Sequence, residues 1–357
     1  MTNNCLITIC TSFYNVEKYM ESFISQLKNQ TCPDFVCILV DDGSTDKSYE
    51  NCVKAIGDDE RFSVIKHEKN KGIGEGRITY IENCKTEYIT FLDADDDFEK
   101  NLVENLLKDI NSTNSDLITY EHFTKSEKGE ITRLSTEVNS TNDLFSKKVG
   151  LISHLWNKVF NINLFKTFDL SFCKTVSFAE DLWLCTNCFL NAQNPVIIHN
   201  AYYYYKYNSS SLVHKRSEKS IRENIEVLKN LLQNPKLKEI KEIEAYIKDD
   251  SFHAFGHLIF PSKTNNFQLK PHFDEWRKID SEIGIFLPEY LSGFVRKYIV
   301  QIRKRNDIIA NIMRIVIEIK QNKLISKILY RNTRGGVTTN ISFILQPFNN
   351  NEYEVTA

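Results

Sequence analysis

This sequence of 357 residues lacks an excess of charge of either sign and lacks any long hydrophobic run. Its formal net charge is −2, which gives no support to nucleic-acid binding, so we expect no nucleic-acid partner. No apolar run reaches about 18 residues, the length that a membrane-spanning helix needs. No basic segment followed by an apolar one opens the chain. We therefore expect a cytoplasmic protein that does not span the membrane.

Paired metal-binding cysteines are also missing. The nine cysteines are an odd number and are scattered through apolar segments, which is typical of free thiols in a reducing compartment. Cys185 and Cys188 form a lone CxxC pair in a helical context, with no second pair and no well-spaced histidines. We therefore expect both to pack in the core.

Neither common phosphate-binding glycine motif is present. Gly72, Gly74 and Gly76 give GxGxG in place of the dinucleotide motif GxGxxG, and they do not directly follow the first strand. A Walker loop is absent as well. The sequence thus gives weak support to a backbone cradle for phosphate, and a metal held by carboxylates becomes the better candidate for neutralising a diphosphate.

The most informative stretch that is present is acidic. The apolar run 88–92 ends in four carboxylates, those of Asp93, Asp95, Asp96 and Asp97. Mg²⁺ and Mn²⁺ take oxygen ligands, often one or two carboxylates together with substrate phosphates, so this pattern suits a metal-diphosphate site. Two alternatives remain: a solvated acidic loop that caps the next helix, and a calcium loop. Phe98 stands where a calcium loop needs glycine, which disfavours the second alternative.

Strand and helix patterns alternate through the first hundred residues. Apolar strands are predicted over 5–10, 35–40, 62–65 and 88–92, with helical periodicity between them. This alternation predicts an α/β fold with a mostly parallel sheet flanked by helices. The polar loops 11–17, 41–46 and 93–97 each follow a strand. Ligands bind at the carboxyl ends of such strands, so we expect these loops to form a site together.

Four ordered motifs in this region resemble those of the family 2 glycosyltransferases, which carry the Rossmann-like GT-A fold. They are Thr11–Tyr19, Val40–Asp46, Asn70–Arg77 and Phe91–Asp96. Farther on, Trp156–Phe160, Phe178–Trp183 and Tyr203–Ser211 are similar to segments of the capsule and O-antigen members. The resemblance covers roughly residues 5–212.

The resemblance implies a role for each matching side chain. A donor-binding role is implied for Thr11, Phe13 and Glu17 in the nucleotide pocket, for Asp42 on uracil, for Arg77, and for Asp93 near the ribose. Asp95, with Asp93, would hold the metal, either Mn²⁺ or Mg²⁺. Asp181 would be the catalytic base, with Glu180 beside it. Ile78 departs from the family, where many members have asparagine, and this puts the role of Arg77 in doubt.

The implied activity is that of an inverting, metal-dependent hexosyltransferase. It would move a sugar from a nucleotide-sugar donor, expected to be a UDP-sugar, to a hydroxyl of a glycan or lipid-linked glycan in bacterial surface polysaccharide synthesis. His154, Trp156 and Lys158 are weaker candidates for contact with the acceptor. Two other functions remain open: a nucleotidyltransferase, which would release pyrophosphate, and a module that binds sugar nucleotide or calcium without turnover.

The chain is expected to have two parts. Residues 1–215 would form the catalytic domain, with a nucleotide-sugar half over about 1–110 and an acceptor half over about 111–215, and residues 216–357 a mainly helical region. Residues 294–334 carry eleven Lys or Arg against Asp307 and Glu318, with an apolar stripe at helical spacing: Ile308, Ile312, Ile315, Val316 and Ile319. A basic amphipathic helix is typical of a peripheral element at a membrane surface. The alternative is a helix whose stripe docks on the catalytic domain.

Overall fold

The structure, a computed structural model, describes residues 7–134, 153–207, 217–259, 272–289 and 291–317. The chain divides into two compact units. The first comprises Met1–His214 with Lys236–Ile243, and the second comprises Lys215–Pro235 with Glu244–Ala357. The functional boundary expected near residue 215 stays a prediction.

The strands of the first unit form one mixed sheet. In the described residues these are β1 (Ile7–Phe13), β2 (Phe35–Asp41), β3 (Phe62–Lys66), β4 (Tyr88–Phe91), β5 (Asp97–Phe98), β6 (Leu117–Lys125), β7 (Ile131–Leu134), β8 (Lys158–Asn161) and β9 (Pro195–Lys206). Their order is β3-β2-β1-β4-β8-β6-β9-β5, and β7 pairs with β6.

The helices of the described residues connect and follow these strands. They are α1 (Glu17–Lys28), α2 (Ser48–Ile56), α3 (Ile73–Asn83), α4 (Leu102–Thr113), α5 (Glu180–Asn191), α6 (Glu218–Gln233), α7 (Lys241–Gly256), α8 (Phe273–Ile283) and α9 (Gly293–Arg303). Short 3₁₀ turns occupy Ile162–Lys166, Leu170–Thr175 and Pro235–Glu239. Residues 307–317 are also helical.

The sheet is parallel in its first half and mixed in its second. β1 pairs in parallel with both β2 and β4, and β2 pairs in parallel with β3. β8 then joins β4 and β6 by antiparallel pairing, while β9 runs parallel to β6. The predicted strand-helix alternation of the first hundred residues is therefore confirmed, and later strands extend the sheet in mixed directions.

The core of the first unit lies between the sheet and its helices. The predicted apolar face of α1 is buried, with Met20, Phe23, Ile24 and Leu27 turned inward. Phe23 packs edge-on against Phe98 at a centroid distance of 6.0 Å. Fully burying a side chain of this size contributes roughly 1.5–3 kcal/mol, so this face anchors α1 in the core of the first unit.

The described part of the second unit is helical. α8 contacts both α6 and α9. Its core includes the fully buried side chains of Trp276 and Tyr298. In the described residues, no helix is both long enough and apolar enough to cross a bilayer. The basic segment predicted over 294–334 is described as far as residue 317, and the rest of it lies outside the described residues, as does the tail.

Candidate active site

The polar loops that follow β1, β2 and β4 meet at one edge of the sheet. Phe13 pairs with Asp41 at the ends of β1 and β2, and the amide of Asp42 donates to the carbonyl of Phe13 over 2.9 Å. The hydroxyl of Thr11 donates to the carbonyl of Leu92, one residue before the acidic loop, over 2.8 Å. The strand order reverses at β1, between β2 and β4. This is the place where open α/β sheets bind ligands.

Hydrogen bonds join the loops after β1 and β2. Asn15, whose φ is 54°, accepts from the amides of Thr45 and Asp46 over 2.9 and 3.3 Å. The carboxylate of Glu17 accepts from the amide of Lys47 over 3.0 Å. The two loops therefore form one wall, in which Glu17 makes a bond within the protein. Its expected role in the nucleotide pocket, like those of the buried Thr11 and Phe13, stays a prediction.

Asp42 binds the loop that enters α3. Its Oδ1 contacts His67 Nδ1 at 2.7 Å and accepts from the Lys71 amide over 3.0 Å, while Oδ2 accepts from the Gly72 amide over 2.8 Å. Gly43 beside it has a φ of 72°, and a Cβ there would lie 2.5 Å from the backbone of Lys69. Asp42 thus holds loop 67–72 in place. Its expected bond to uracil stays a prediction.

The four carboxylates of the acidic loop separate into two pairs. Asp96 is buried, and it accepts from the Tyr203 hydroxyl over 2.6 Å and from the Lys206 amide over 2.7 Å. Asp97 forms ion pairs with Lys206 at 2.9 Å and with Lys125 at 3.4 Å. These two acids therefore brace the loop against β6 and β9. Asp93 and Asp95 accept no side-chain hydrogen bond from the described residues.

Asp93 and Asp95 have the chemistry that a hard divalent cation requires. Burial, with a further contribution from the charge of Asp95, raises the pKa of Asp93 to about 6. Crowded carboxylates of this kind are stabilised in the charged form by a cation. Mg²⁺ and Mn²⁺ are often bound by one or two carboxylates together with substrate phosphates, so the pair fits such an ion. In the described residues no cluster of three or more His, Cys, Asp or Glu could hold a metal alone, and the donor phosphates would have to complete the site.

A buried ion pair joins α3 to α5. Nε and Nη2 of Arg77 contact the same oxygen of Glu180, Oε1, at 3.0 and 2.9 Å, and both side chains are largely buried. Nη1 of Arg77 reaches the hydroxyl of Tyr80 over 3.4 Å. The charges of Asp93 and Asp181 also act on the guanidinium. Arg77 therefore lies among the carboxylates that resemblance assigns to donor and acceptor chemistry.

The three glycines around α3 allow this close packing. A Cβ at Gly74 would lie 2.1 Å from the carbonyl oxygen of Cys173, and one at Gly72 would lie 2.3 Å from the Ser177 hydroxyl. A Cβ at Gly76 would lie 2.2 Å from the Ser12 hydroxyl. The GxGxG pattern thus brings α3 against the segment that leads into α5 and against the end of β1.

Asp181 begins α5 beside this ion pair. Ala179, with a φ of 62°, turns the chain into the helix, so that Glu180 and Asp181 lie in its first turn. Burial raises the pKa of Asp181 to about 7, with a further increase from Glu180, while Arg77 acts in the opposite direction. Its Oδ1 accepts from the amide of Leu182 over 2.7 Å. A half-buried carboxylate with this pKa is suited to general base catalysis near neutral pH.

Of the three weaker acceptor candidates, Trp156 and Lys158 are buried and His154 is half-buried. The ammonium of Lys158 is buried and donates to the His154 carbonyl and to the Asn157 side chain, over 2.5 and 2.8 Å. His154 stacks on Trp156, and Trp156 stacks in turn on Tyr203 and Tyr205. Burial lowers the pKa of Lys158 to about 8 and that of His154 to about 3. In this geometry Trp156 packs against β9, and the expected acceptor contact of the three residues stays a prediction.

Sequence reasoning missed several supporting residues. His67, at the end of β3, bridges Asp42 and the Thr79 hydroxyl, and its position after a strand could have indicated it. Tyr203 and Lys206 support the acidic loop, but no local signal identifies them because their partners lie about a hundred residues away. Cys185 and Cys188 are buried in α5, as predicted.

Comparison with known proteins identifies the family that the first part of the chain matches. Residues 8–176 match the family model Glycosyl transferase family 2. The chain contains a family 2 glycosyltransferase domain. The matched region includes the loops after β1, β2 and β4 and ends just before α5.

Relatives of the family 2 domain include the uncharacterized glycosyltransferase EpsJ of Bacillus subtilis. The two are 28% identical over 216 residues, which make up 58% of this chain and 62% of EpsJ, or less than two thirds of that relative. TarS 1-349 of Staphylococcus aureus, solved in complex with UDP-GlcNAc, has a TM-score of 0.61 at 19% identity, covering 86% of this chain and 90% of that chain.

A third comparison is the mannosyltransferase PcManGT from Pyrobaculum calidifontis, solved with GDP-Man and Mn²⁺. Its TM-score is 0.50 at 13% identity, over 71% of this chain and 75% of that chain. At these identities the two structural likenesses concern the fold. The predicted α/β fold of the GT-A class is confirmed.

Proposed function

We propose that this chain is an inverting glycosyltransferase that moves a sugar from a UDP-sugar to a hydroxyl of a glycan or lipid-linked glycan in bacterial surface polysaccharide synthesis. The observation that carries the proposal is that Asp93 and Asp181 both act on one buried arginine, Arg77, while Asp95 lies beside Asp93 in the acidic loop. The family 2 domain supports the reaction class. UDP and UDP-GlcNAc in the TarS structures support UDP as the nucleotide.

Asp181 is the proposed base. A hydroxyl is a poor nucleophile, so a carboxylate that accepts its proton during attack on the anomeric carbon lowers the barrier. Glu180 is already held by Arg77, which leaves Asp181 as the carboxylate available on the α5 side. One base suits direct displacement with inversion, whereas retention by double displacement requires a carboxylate nucleophile as well.

Asp93 and Asp95 are the proposed ligands of Mn²⁺ or Mg²⁺. When bound, the cation would supply Lewis acid stabilisation for the charge that develops on the leaving diphosphate. The carboxylates themselves would orient the donor phosphates through that ion, while Asp96 and Asp97 keep the loop in place. Mn²⁺ in the PcManGT complex supports a divalent metal in this fold.

Product analysis with a UDP-sugar panel tests this proposal. Wild type is expected to release UDP and to transfer the sugar with inverted anomeric configuration, whereas Asp181→Asn should retain UDP binding and lose about a thousandfold in kcat. Release of pyrophosphate in place of UDP would favour a nucleotidyltransferase. Binding of the UDP-sugar without turnover by wild type would favour a module that only binds the nucleotide.

We also propose that the protein is cytoplasmic and reaches a membrane-bound acceptor through its basic segment. In helix 307–317, Ile308, Ile312 and Ile315 are 79%, 58% and 49% exposed. Lys304 and Arg305 precede them and are also exposed. An apolar face beside cations suits a surface of anionic lipid.

Vesicle sedimentation tests the membrane proposal. Wild type should bind vesicles that contain phosphatidylglycerol better than vesicles of phosphatidylcholine alone. Ile308→Ser with Ile312→Ser should weaken binding at least tenfold, because partial burial of two such side chains is worth about 2 kcal/mol. Phe286→Ser is the control, since it removes an apolar side chain of 42% exposure outside this helix. Equal loss in both variants would contradict the assignment.

A further inference from the structure

We propose that the ion pair of Arg77 with Glu180 positions Asp181. The reaction then requires neither Glu180 as a base nor Arg77 as a residue that binds the donor. This inference deepens the proposed glycosyltransferase function and rests on it. Its starting point is the two-point contact of Arg77 with Glu180 at 2.9 and 3.0 Å, between residues that are 103 positions apart.

The contact fixes the first turn of α5. Glu180 is 4% exposed and Arg77 is 9% exposed, so water competes little for either group. Two charged N–H groups on one carboxylate oxygen hold that oxygen in place more firmly than a single bond does. Asp181 is the next residue along the helix, so its direction depends on how Glu180 is held. The position of the Asp181 carboxylate therefore depends, through this ion pair, on the position of α3.

The packing of α3 supports the same reading. Gly72 and Gly74 allow α3 to approach the backbone and side chains of segment 173–177, which leads directly into α5. Asp42, which follows β2, holds loop 67–72, and this loop leads directly into α3. One continuous set of contacts thus runs from the nucleotide side of the sheet to Asp181, with the ion pair as its last member.

The two carboxylates at the start of α5 differ in their freedom. Oε1 of Glu180 is occupied by Arg77, whereas in the described residues the hydrogen bond of Asp181 uses Oδ1 alone, with the Leu182 amide. Charged groups that face Asp181 are Glu180 on its own helix, Arg77 on α3, Asp93 after β4 and Lys158 on β8. Glu180 is only 4% exposed whereas Asp181 is half-buried, so an acceptor hydroxyl reaches the free oxygen of Asp181 more readily than it reaches Glu180.

A double-mutant cycle tests the pair. The variants are Glu180→Gln, Arg77→Met and their combination, with Asp181→Asn as the reference for loss of the base. The readouts are kcat and donor KM for the UDP-sugar that wild type turns over fastest among UDP-GlcNAc, UDP-glucose and UDP-galactose. Glu82→Gln is the matched control, because Glu82 pairs with Lys174 at 3.0 Å and joins α3 to the same segment at the exposed surface.

Each single variant of the pair is expected to lower kcat by about tenfold to a hundredfold with donor KM nearly unchanged, because a displaced base costs rate and not donor affinity. The kcat of the double variant should be no lower than that of the less active single variant, since the two residues act as a unit. Glu82→Gln should leave both constants unchanged. Arg77→Lys, which keeps the charge but not the two-point contact, should behave as Glu180→Gln does and serves if the methionine variant does not fold.

Three results would overturn the inference. They are a Glu180→Gln enzyme as inactive as Asp181→Asn, losses that multiply in the double variant, and a donor KM that rises steeply in Arg77→Lys. Each of these requires an active wild type and leaves the proposed function standing. A wild type that binds UDP but transfers no sugar from any of these donors would overturn both the proposed function and the positioning role of Arg77 and Glu180.

Discussion

Tyr203 offers the sharpest test of how β9 supports the donor side of the site. Its ring is fully buried, and its hydroxyl donates to Oδ2 of Asp96 over 2.6 Å and accepts from the amide of Asp93 over 3.1 Å. Tyr203→Phe removes this one oxygen and keeps the ring stacked on Trp156. The buried carboxylate of Asp96 then loses one of its two partners, and the Asp93 amide loses its acceptor.

The expected cost follows from these two bonds. Removing one partner of a buried polar group costs about 1–3 kcal/mol, so we expect a loss near 2 kcal/mol in the free energy of unfolding. Asp93 is tied to the same oxygen, and its carboxylate should become less well placed. If roughly 1.4 kcal/mol of the loss falls on donor binding, the affinity for UDP in the presence of Mn²⁺ drops about tenfold.

Tyr202→Phe is a matched control on the same strand. Tyr202 is also buried, and its hydroxyl donates to Asp109 on α4 over 3.0 Å, away from the acidic loop. Urea unfolding and calorimetric titration of UDP with Mn²⁺ would be measured for both variants. Both should lose similar stability, and Tyr203→Phe alone should lose UDP affinity. Equal UDP affinity in the two variants would contradict a role of the Tyr203 hydroxyl in donor binding.

Two further predictions concern α3 and α5. Asp181 has to be deprotonated to act as a base and its pKa is raised to about 7, so kcat/KM should fall tenfold for each pH unit below that value. Glu180→Gln removes a like charge and should shift this fall in kcat/KM to lower pH. A kcat/KM that does not change between pH 5 and 7 would contradict the role of Asp181 as the base. Gly74→Ala should destabilise the protein by about 3 kcal/mol in thermal or urea unfolding, since its Cβ would overlap two backbone oxygens, whereas Gly293→Ala in α9 meets no atom within 4 Å and should be neutral.

The sequence predicted the first half of the fold because its signals there are local. Apolar strands, amphipathic helices and polar strand ends follow one another within a few residues, and parallel strands bring their carboxyl ends to one edge. The later strands gave weaker signals. β8 is short, and β9 inserts between β6 and β5, a pairing that depends on contacts far apart in the sequence.

The loops that form the site could be predicted from the sequence, but the hydrogen bonds and ion pairs among their side chains could not. The sequence around Asp93 shows four acids, but it does not show which of them make contacts within the protein. Those contacts depend on Tyr203 and Lys206, which bind Asp96 and Asp97 from β9. The glycines near Arg77 match neither common phosphate-binding motif, and the sequence alone gives no other reason for them. Their reason is steric, since they let α3 approach the segment before α5. Burial of Trp156 and Lys158 likewise arises from packing that spacing along the chain does not reveal.

Calorimetric titration of UDP, with and without Mn²⁺, tests whether Asp93 and Asp95 hold a metal ion that binds the donor. It would compare wild type with Asp95→Asn, and with Asp97→Asn as the control, since Asp97 forms ion pairs with Lys125 and Lys206 and braces the loop. We predict that UDP binding requires Mn²⁺ and is lost in Asp95→Asn but largely kept in Asp97→Asn, because an asparagine oxygen can still accept the hydrogen bond from Lys206. UDP binding by wild type that is independent of the metal and unaffected by Asp95→Asn would contradict the proposed donor site.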